Sequence, residues 1–221
     1  MRKLMKPLIV IVLAVGVAAG AAVFLSRGSK DQPAENASTP GHVDIKAGTH
    51  IRGPQNAQLT LVEFGDYECP SCGAWHPFVK EILARYPGQL RLDFHHYPLV
   101  SVHPNAMAGA IAAEAAGEQG KYWEMHDALF EHQREWGESR DPKPIIMNLA
   151  SRIGLDLNRF EQSMASPALQ NRILQDVSKA QDLHIEGTPT FFLNGEQIHP
   201  RPSMEELVQL IETRLHSTPA S

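Results

Sequence analysis

The chain has 221 residues, of which 43% are hydrophobic, and its 20 Lys and Arg against 25 Asp and Glu give a formal net charge of −5. This composition is typical of a globular protein with one domain, or one domain with an insertion, and it excludes an intrinsically disordered chain. The two cysteines are too few for a disulfide-scaffold protein or a four-cysteine zinc site.

Charge is distributed unevenly along the chain. Residues 1–30 contain five basic residues and no acidic one, which leaves 15 basic against 25 acidic residues in the remainder. That remainder therefore has a net charge of about −10 and no basic stripe. Because phosphate contacts need clustered Lys and Arg, this distribution argues against a nucleic-acid partner.

An apolar segment follows the first basic residues. From Leu8 to Leu25 every residue is apolar or glycine, and a helix of that length measures about 27 Å, close to the hydrocarbon thickness of a bilayer. The preceding basic residues favour a cytoplasmic N-terminus, so residues 1–25 are predicted to anchor an exported domain. A signal peptide cleaved at residues 19–21 is the alternative, and it also exports the domain. Residues 26–50, rich in Ser, Pro, Gly and Asn, are predicted to be a flexible linker.

The folded domain is predicted to begin near Ile51 and to open with a strand, a helix and a second strand. Residues 59–64 form a short, mostly apolar run that is typical of a buried central strand. Apolar side chains at spacings of three and four then predict a helix that stops at Pro87-Gly88. Alternation over residues 90–96 predicts the second strand.

The C-terminal part is predicted to contain a helical insert, a hairpin and a last helix. Residues 104–183 contain no convincing strand and several helical patterns interrupted by Gly and Pro. Residues 190–193 and 197–199 are predicted to form a hairpin with its turn at Asn194-Gly195. A capping box at residues 203–206 then predicts the start of the last helix.

Both cysteines, Cys69 and Cys72, fall at the start of the first predicted helix. Unpaired backbone N–H groups and the positive end of the helix dipole stabilise a thiolate there, and Cys69 is placed to benefit from both. The spacing of three residues lets the sulfurs meet across one turn, so that Cys72 is able to displace a partner bonded to Cys69. The pair is therefore predicted to consist of an attacking thiol and a resolving thiol.

Two other interpretations of the cysteine pair are weaker. A structural disulfide that closes so short a loop stabilises a fold by only about 2 kcal/mol. A zinc or copper site would need further ligands, and the nearby His76 would be carried round the helix away from Cys69. Cysteines of an exported domain also oxidise readily, which favours a redox role over a metal site.

The residues around the cysteines resemble a known family. The segment Glu63-Phe64-Gly65-Asp66-Tyr67-Glu68-Cys69-Pro70-Ser71-Cys72-Gly73 is followed by Pro77 and, much later, by Gly187-Thr188-Pro189-Thr190. A Cys-x-x-Cys pair after an apolar strand, with a Thr-Pro before a later strand, resembles the DsbA-like thiol-disulfide oxidoreductases of the thioredoxin superfamily. The resemblance covers the chain from Ile51 to the last helix, and it implies an α/β thioredoxin-like fold with an inserted all-helical subdomain.

The resemblance implies a role for several residues. Cys69 resembles the surface nucleophile of the family and Cys72 its buried partner, and the two would form the redox-active disulfide. Pro189 matches the family's cis-proline, which would place the backbone of Thr188 beside this disulfide to pair with an extended substrate. Glu63 matches a buried acid that moves a proton to or from the inner cysteine, and a buried Glu with a raised pKa suits that chemistry near neutral pH.

Residues next to the cysteines are expected to contact the substrate. Pro70 and Ser71 separate the two cysteines, whereas strongly oxidising members of the family have Pro-His at these positions. Because this dipeptide tunes the stability of the thiolate, Ser71 leaves the redox potential open, and the same scaffold is able to act as a reductant.

Trp75 follows the pair, and it either lines the substrate surface or packs in the core.

Neither a metal nor a cofactor is predicted. His95, His96 and His103 cluster in the sequence, but neighbouring strand residues point to opposite faces of a sheet, so these histidines are interpreted as structural. His126 and His132 lie six residues apart on a helix and are predicted to be solvated. The sequence contains no flavin motif and no Gly-rich phosphate loop.

Together these observations predict an extracytoplasmic dithiol oxidase that introduces disulfides into proteins. A substrate thiolate would attack the Cys69–Cys72 disulfide at Cys69, and a second substrate thiol would resolve the mixed disulfide. The electrons must then leave through another protein, and the family suggests a membrane quinone-coupled oxidase of the DsbB type. A disulfide reductase or isomerase is one alternative. A membrane-anchored copper-delivery protein is another, although such proteins generally have three residues between their cysteines.

Overall fold

The computed structural model of the protein describes residues 43–45, 47–48, 50–198 and 202–217. In chain order the elements are β1 (Ile51–Arg52), β2 (Leu59–Gly65), α1 (Pro70–Arg85), β3 (Leu90–His96), α2 (Ala106–Gly117), α3 (Tyr122–Glu131), α4 (Gln133–Gly137), α5 (Lys143–Arg152), α6 (Leu157–Met164), α7 (Pro167–Asp182), β4 (Thr190–Leu193), β5 (Glu196–Gln197) and α8 (Met204–Ser217). The predicted order of strand, helix, strand, helical insert, hairpin and helix is confirmed. The additional strand β1 is too short to show a periodicity in the sequence.

A five-stranded sheet with the order β1-β3-β2-β4-β5 forms the centre of the fold. β2 pairs in parallel with β3 and antiparallel with β4, and α1 is the crossover between the two parallel strands. All but one of the residues of β2 are buried, which explains its mostly apolar sequence. The central strand therefore leads directly into the helix that begins beside the cysteines.

The hairpin and the last helix form as the sequence predicts. Asn194 and Gly195 both have positive φ angles, 47° and 82°, as the turn between β4 and β5 requires. The Ser203 N–H donates to the Glu206 carboxylate and the Glu206 N–H donates to the Ser203 hydroxyl, which confirms the capping box. The second hairpin strand, β5, lies slightly earlier than the predicted residues 197–199.

Two large groups of buried side chains stabilise the domain, together with a smaller one that includes Phe64 and Phe192. One group, which includes Leu61, Ile82 and Ile211, joins the sheet to α1 and α8. The other fills the insert and also includes residues of the sheet layer, with Trp136 and Phe94 both nearly inaccessible to solvent. The second group is continuous between the insert and the first turn of α1, so the insert is packed against the segment that holds the cysteines.

The last part of the predicted linker packs against the domain, which corrects the prediction of a flexible tether over residues 26–50. The Val43 N–H donates to the Gly195 carbonyl at 2.8 Å, and the His50 ring stacks on Tyr122 with 3.5 Å between ring centroids. A linker composition does not exclude such contacts, because single aromatic and backbone groups suffice to make them.

The predicted membrane anchor or signal segment, residues 1–25, lies outside the described residues, as does most of the linker. No helix in the described ranges combines the length and the apolar character that a membrane crossing requires. The export of the domain therefore stays a prediction.

Candidate active site

Cys69 and Cys72 lie where the chain passes from β2 into α1. Cys69 is the N-cap residue of α1, and Pro70 occupies the first helical turn, where its missing N–H costs no hydrogen bond. Both cysteines are reduced in this structure. Cys69 keeps 6% of its surface exposed and Cys72 keeps none. The order of exposure matches the predicted outer and inner cysteines, but Cys69 is more deeply buried than the predicted surface nucleophile.

The surroundings of Cys69 stabilise its thiolate. Its pKa is lowered from 9.0 to about 5, mainly by the hydrogen bond from the Cys72 thiol. Burial opposes this shift, whereas the backbone N–H groups of Ser71 and Cys72 at the start of the helix support it. Cys69 is therefore a thiolate at neutral pH, as an attacking thiol requires.

Cys72 and Glu63 form the buried inner part of the site. Burial is the main cause that raises the pKa of Cys72 well above 9.0, and the hydrogen bond to Cys69 adds to it. Glu63, on β2, is 2% exposed, and burial raises its pKa from 4.5 to about 8, with a further contribution from the charge of Cys69. The predicted burial of Glu63 is observed, and its carboxyl group is able to hold a proton at neutral pH.

The loop before β4 contacts the cysteines, although it is distant in the sequence. The peptide bond between Thr188 and Pro189 is cis, as the family resemblance implies. The Cys69 sulfur lies 3.5 Å from the Thr188 carbonyl oxygen. A cavity of about 620 Å³ is lined by Pro189, Phe191 and neighbouring residues. The cis-proline loop thus both contacts the outer cysteine and lines this cavity.

The other predicted substrate-contacting residues differ in exposure. Pro70 is exposed and Ser71 is half-buried, so both are accessible beside the outer cysteine. Trp75 is half-buried, with its ring centroid 5.1 Å from that of Phe191 and 6.1 Å from that of the exposed Phe78. Trp75 therefore packs against the hydrophobic core and keeps only part of its ring surface for other contacts.

Sequence reasoning missed Asp66, which organises the segment before the cysteines. Its buried carboxylate accepts hydrogen bonds from the N–H groups of Glu68 at 2.8 Å and Leu99 at 2.9 Å. His103 contacts the same carboxylate at 2.7 Å, and the Asp66 N–H donates to the Cys72 sulfur at 3.5 Å. An acidic residue directly after an apolar strand was a possible signal, but its partners come from distant parts of the chain.

Sequence reasoning also missed Gln133, the first residue of α4. Its side-chain amide donates hydrogen bonds to the carbonyl oxygens of Tyr67 and Cys69, each at 2.8 Å. No sequence pattern relates Gln133 to these residues, because the contact depends on how the insert packs against α1.

The histidines of β3 belong to buried ion networks. His95 contacts Asp176 at 2.8 Å and Asp93 at 3.5 Å. His96 contacts Glu114, on α2, at 3.0 Å. Both networks connect the sheet to helices of the insert, which agrees with the structural role predicted for these two histidines.

His126 is buried, and the prediction that it is solvated is wrong. It is 2% exposed, its ring lies 4.9 Å from those of Phe94 and Trp123, and one ring nitrogen shares a hydrogen bond of 3.0 Å with the Tyr67 hydroxyl. His126 lies one helical turn from apolar residues that face the core, so it shares their buried face. His132, by contrast, is half-buried at the end of α3.

One group of side chains within the described residues has the composition of a metal site. The ligand atoms of His76, His126 and Asp127 all lie within 4.8 Å of one another, and no cysteine belongs to this group. Asp127 is already paired with Arg52 at 2.9 Å and Lys80 at 3.3 Å. Because these two cations would repel a metal ion, we interpret the group as an ion-pair network and not as a metal centre.

Solved structures share this fold. A thioredoxin-like oxidoreductase from Silicibacter pomeroyi DSS-3 is 26% identical, with a TM-score of 0.65 over 76% of this chain and 93% of that chain. Oxidised BdbD from Bacillus subtilis is 22% identical, with a TM-score of 0.68 over 76% of this chain and 92% of that chain. The second likeness shows the fold alone.

Curated relatives match this chain over only part of their length. The Na(+)/H(+) antiporter NhaA 1 of Salinispora arenicola (strain CNS-205) is 43% identical over 169 residues, which are 76% of this chain and 25% of that protein. The chain thus spans about a quarter of the length of the curated relatives it matches. A family model described as Thioredoxin matches residues 46–213. That match, which covers most of the chain, shows that the chain belongs to the thioredoxin family.

Proposed function

We propose that this chain is an extracytoplasmic dithiol oxidase that forms disulfides in other proteins. The observation that carries the proposal is the difference between two adjacent thiols, because Cys69 has a pKa of about 5 and Cys72 one well above 9.0. Such a difference suits a redox pair in which the outer sulfur is attacked by the substrate and is a good leaving group, while the inner sulfur is shielded from the substrate.

The reaction needs two exchange steps. A substrate thiolate attacks the Cys69 sulfur of the Cys69–Cys72 disulfide, forms a substrate–Cys69 disulfide and releases Cys72 as a thiolate. Glu63 delivers the proton that Cys72 takes up, since its pKa of about 8 keeps it protonated at neutral pH. A second substrate thiolate then attacks the substrate sulfur and releases Cys69 as a thiolate. The substrate has lost two electrons, and the cysteine pair has gained them.

The low pKa of Cys69 favours oxidation of the substrate. At pH 7, a pKa near 5 in place of 9.0 stabilises the reduced pair by about 3 kcal/mol, which makes the couple more oxidising by about 60 mV. This preference supports the oxidase over the reductase or isomerase of the same fold, even though Ser71 stands where strongly oxidising family members have His.

Continued turnover requires a partner that accepts two electrons from the reduced pair. A membrane quinone-coupled oxidase of the DsbB type fits this requirement, and attachment through residues 8–25 would keep the domain close to it. The substrates are proteins with free cysteine thiols. The antiporter names belong to much longer proteins, and we do not extend ion transport to this chain.

The proposal is tested by incubating the oxidised protein with a reduced, unfolded protein that contains several cysteines. We expect one disulfide to form in the substrate for each Cys69–Cys72 disulfide consumed, and Cys69→Ser to abolish the reaction. Cys72→Ala cannot form the Cys69–Cys72 disulfide and should oxidise no substrate. Given an oxidised substrate instead, its Cys69 thiolate should attack the substrate disulfide, release one substrate thiolate and remain in a mixed disulfide, because no Cys72 is present to resolve it. The exposed control Ser151→Ala should react like the wild type.

Two results would overturn the proposal. Reduction of an oxidised substrate by the reduced protein, with no oxidation of the reduced substrate by the oxidised protein, would indicate a reductase. Tight copper or zinc binding by the reduced protein, with no oxidation of the substrate, would indicate metal delivery.

A further inference from the structure

We propose that Gln133 is a positioning residue through which the helical insert fixes the Cys69 sulfur at the start of α1. This inference rests on the proposed thiol-disulfide exchange at Cys69, and it concerns a residue that does not contact the reacting sulfur. The following contacts support it.

The Gln133 amide binds the segment that carries the outer cysteine at two points. Its nitrogen donates to the Tyr67 carbonyl and to the Cys69 carbonyl, each at 2.8 Å. The Cys69 carbonyl also accepts the N–H of Gly73 at 3.1 Å, so two donors hold the same oxygen. The peptide group that follows the attacking thiol therefore has little freedom to rotate.

The same amide packs closely against the first turn of α1. A Cβ atom placed on Gly73 would lie 2.5 Å from the Gln133 side-chain oxygen, which is closer than real Cβ atoms approach any other atom. The amide therefore occupies the space that a Cβ atom at residue 73 would need. Gln133 thus binds the backbone two residues before the cysteine pair and at Cys69 itself, and its side chain lies beside Gly73, which follows the pair.

The insert holds Gln133 firmly in place. Three residues further along α4, Trp136 is fully buried, and its indole N–H donates to the Leu129 carbonyl at 2.8 Å. The Asn105 amide donates to the carbonyl oxygens of Gly137 and Ser139, both at 2.9 Å. A short helix fixed at its far end in this way is able to impose its position on the cysteine segment.

The consequence for chemistry lies in the geometry of the helix start. The N–H groups of Ser71 and Cys72 stabilise the Cys69 thiolate only while the sulfur lies over them. Without the Gln133 amide, we expect the Cys69 segment to sample other positions and the thiolate to lose part of this stabilisation.

The first test is the pKa of Cys69, measured from the ultraviolet absorbance of the thiolate and from its alkylation rate as a function of pH. Gln133→Met keeps the side-chain length and cannot donate, and Gln133→Ala removes the contact. Each should raise the pKa of Cys69 by about one, because the thiolate loses stabilisation equivalent to about one hydrogen bond. At a pH below both pKa values, the thiolate fraction should therefore be about tenfold smaller. The exposed control Gln162→Ala should leave this pKa unchanged.

A double variant tests the packing contact. Gly73→Ala should displace the amide and raise the pKa of Cys69 as Gln133→Ala does, and Gly73→Ala/Gln133→Ala should raise it no further. Additive effects of the two substitutions on the pKa of Cys69 would overturn the inference. It would also be overturned if Gln133→Met folded with a lower melting temperature but an unchanged pKa of Cys69, because Gln133 would then have a merely structural role. Because these measurements need no substrate, an inactive wild type would refute the proposed function without deciding the role of Gln133.

Discussion

Glu63 and Glu114 are both buried glutamates, but they belong to regions with different tasks. They are 2% and 1% exposed, respectively. Glu114, in the insert, contacts His50 at 3.0 Å, His96 at 3.0 Å and Arg172 at 2.6 Å. Glu63, beside the cysteines, forms no ion pair within the described part of the chain.

This difference in pairing reverses the effect of burial. Burial alone would raise the pKa of Glu114, but hydrogen bonds with His50 and His96 outweigh it and hold the pKa well below the ordinary range. Burial raises the pKa of Glu63 to about 8, because no such partner opposes it. The insert thus uses a buried charge to hold elements together, whereas the site beside the cysteines keeps an acid whose proton is free to move.

The largest expected effect is a loss of stability when the paired glutamate is neutralised. Glu114→Gln leaves His96 and Arg172 without their carboxylate, so the free energy of unfolding should fall by about 3–5 kcal/mol. Denaturant unfolding at pH 7 measures it. The matched control is Glu118→Gln, because Glu118 is exposed and also contacts Arg172, at 3.6 Å. The free energy of unfolding of Glu118→Gln should fall by less than about 1 kcal/mol. Equal decreases in both variants would contradict the stabilising role of the buried Glu114 charge.

The two glutamates should also give stability opposite dependences on pH. The folded-state pKa of Glu63 lies above its unfolded value, so its contribution is complete below about pH 4.5 and is lost as the pH rises towards 8. The folded-state pKa of Glu114 is depressed, so its contribution is present above pH 4.5 and is lost as the pH falls below that value.

Unfolding of the oxidised protein across this range measures both contributions, because burial, the main cause of the raised pKa of Glu63, remains when the charge of Cys69 is absent. The free energy of unfolding of the wild type should fall by several kcal/mol between pH 4.5 and 8, and this fall should be absent in Glu63→Gln. The fall in the free energy of unfolding at acidic pH should be absent in Glu114→Gln. If Glu63→Gln retained the wild-type slope above pH 4.5, the raised pKa of Glu63 would be wrong.

A kinetic effect of intermediate size should separate Glu63 from structural residues. Glu63→Gln should slow the single-turnover reduction of the Cys69–Cys72 disulfide at pH 7 by about a hundredfold, because the proton for Cys72 must then come from solvent. Stopped-flow measurement with a small dithiol gives this rate. The exposed control Glu205→Gln should keep the wild-type rate, and a folded Glu63→Gln protein with that rate would remove Glu63 from the mechanism.

The smallest expected effect concerns the residue between the cysteines. Ser71→His places a group able to carry positive charge beside the Cys69 thiolate, so the couple should become more oxidising by about 30 mV. Equilibration with glutathione buffers measures it, and Ser71→Ala is the control expected to change little. A shift in the reducing direction would contradict the link between thiolate stability and potential.

The sequence predicts the parts of the fold and site that depend on local patterns. The strand before the cysteines, the helix after them, the hairpin turn at Asn194-Gly195 and the capping box are all readable within a few residues. The family resemblance adds the expected neighbourhood of Cys69 and Thr188, and in the structure the Cys69 sulfur lies 3.5 Å from the Thr188 carbonyl oxygen.

Contacts between distant segments were not predictable in this way. Gln133 reaches the Cys69 carbonyl, and His126 is buried beside Tyr67, only because of the way the insert packs on α1 and β3. Likewise, His50 joins Glu114 although composition places it in a linker. In each case the chemistry of the residue is visible in the sequence, whereas its partner is determined by tertiary packing.

The equilibrium redox potential of the Cys69–Cys72 couple tests the central claim most directly. It is obtained at pH 7 by equilibrating the protein with glutathione buffers and separating the oxidised and reduced forms. The attacking cysteine of thioredoxin has a pKa of about 7, so the lower pKa of Cys69 predicts a potential about 50 mV less negative than the value of about −270 mV for thioredoxin. A potential at or below that of thioredoxin would contradict the assignment as a dithiol oxidase.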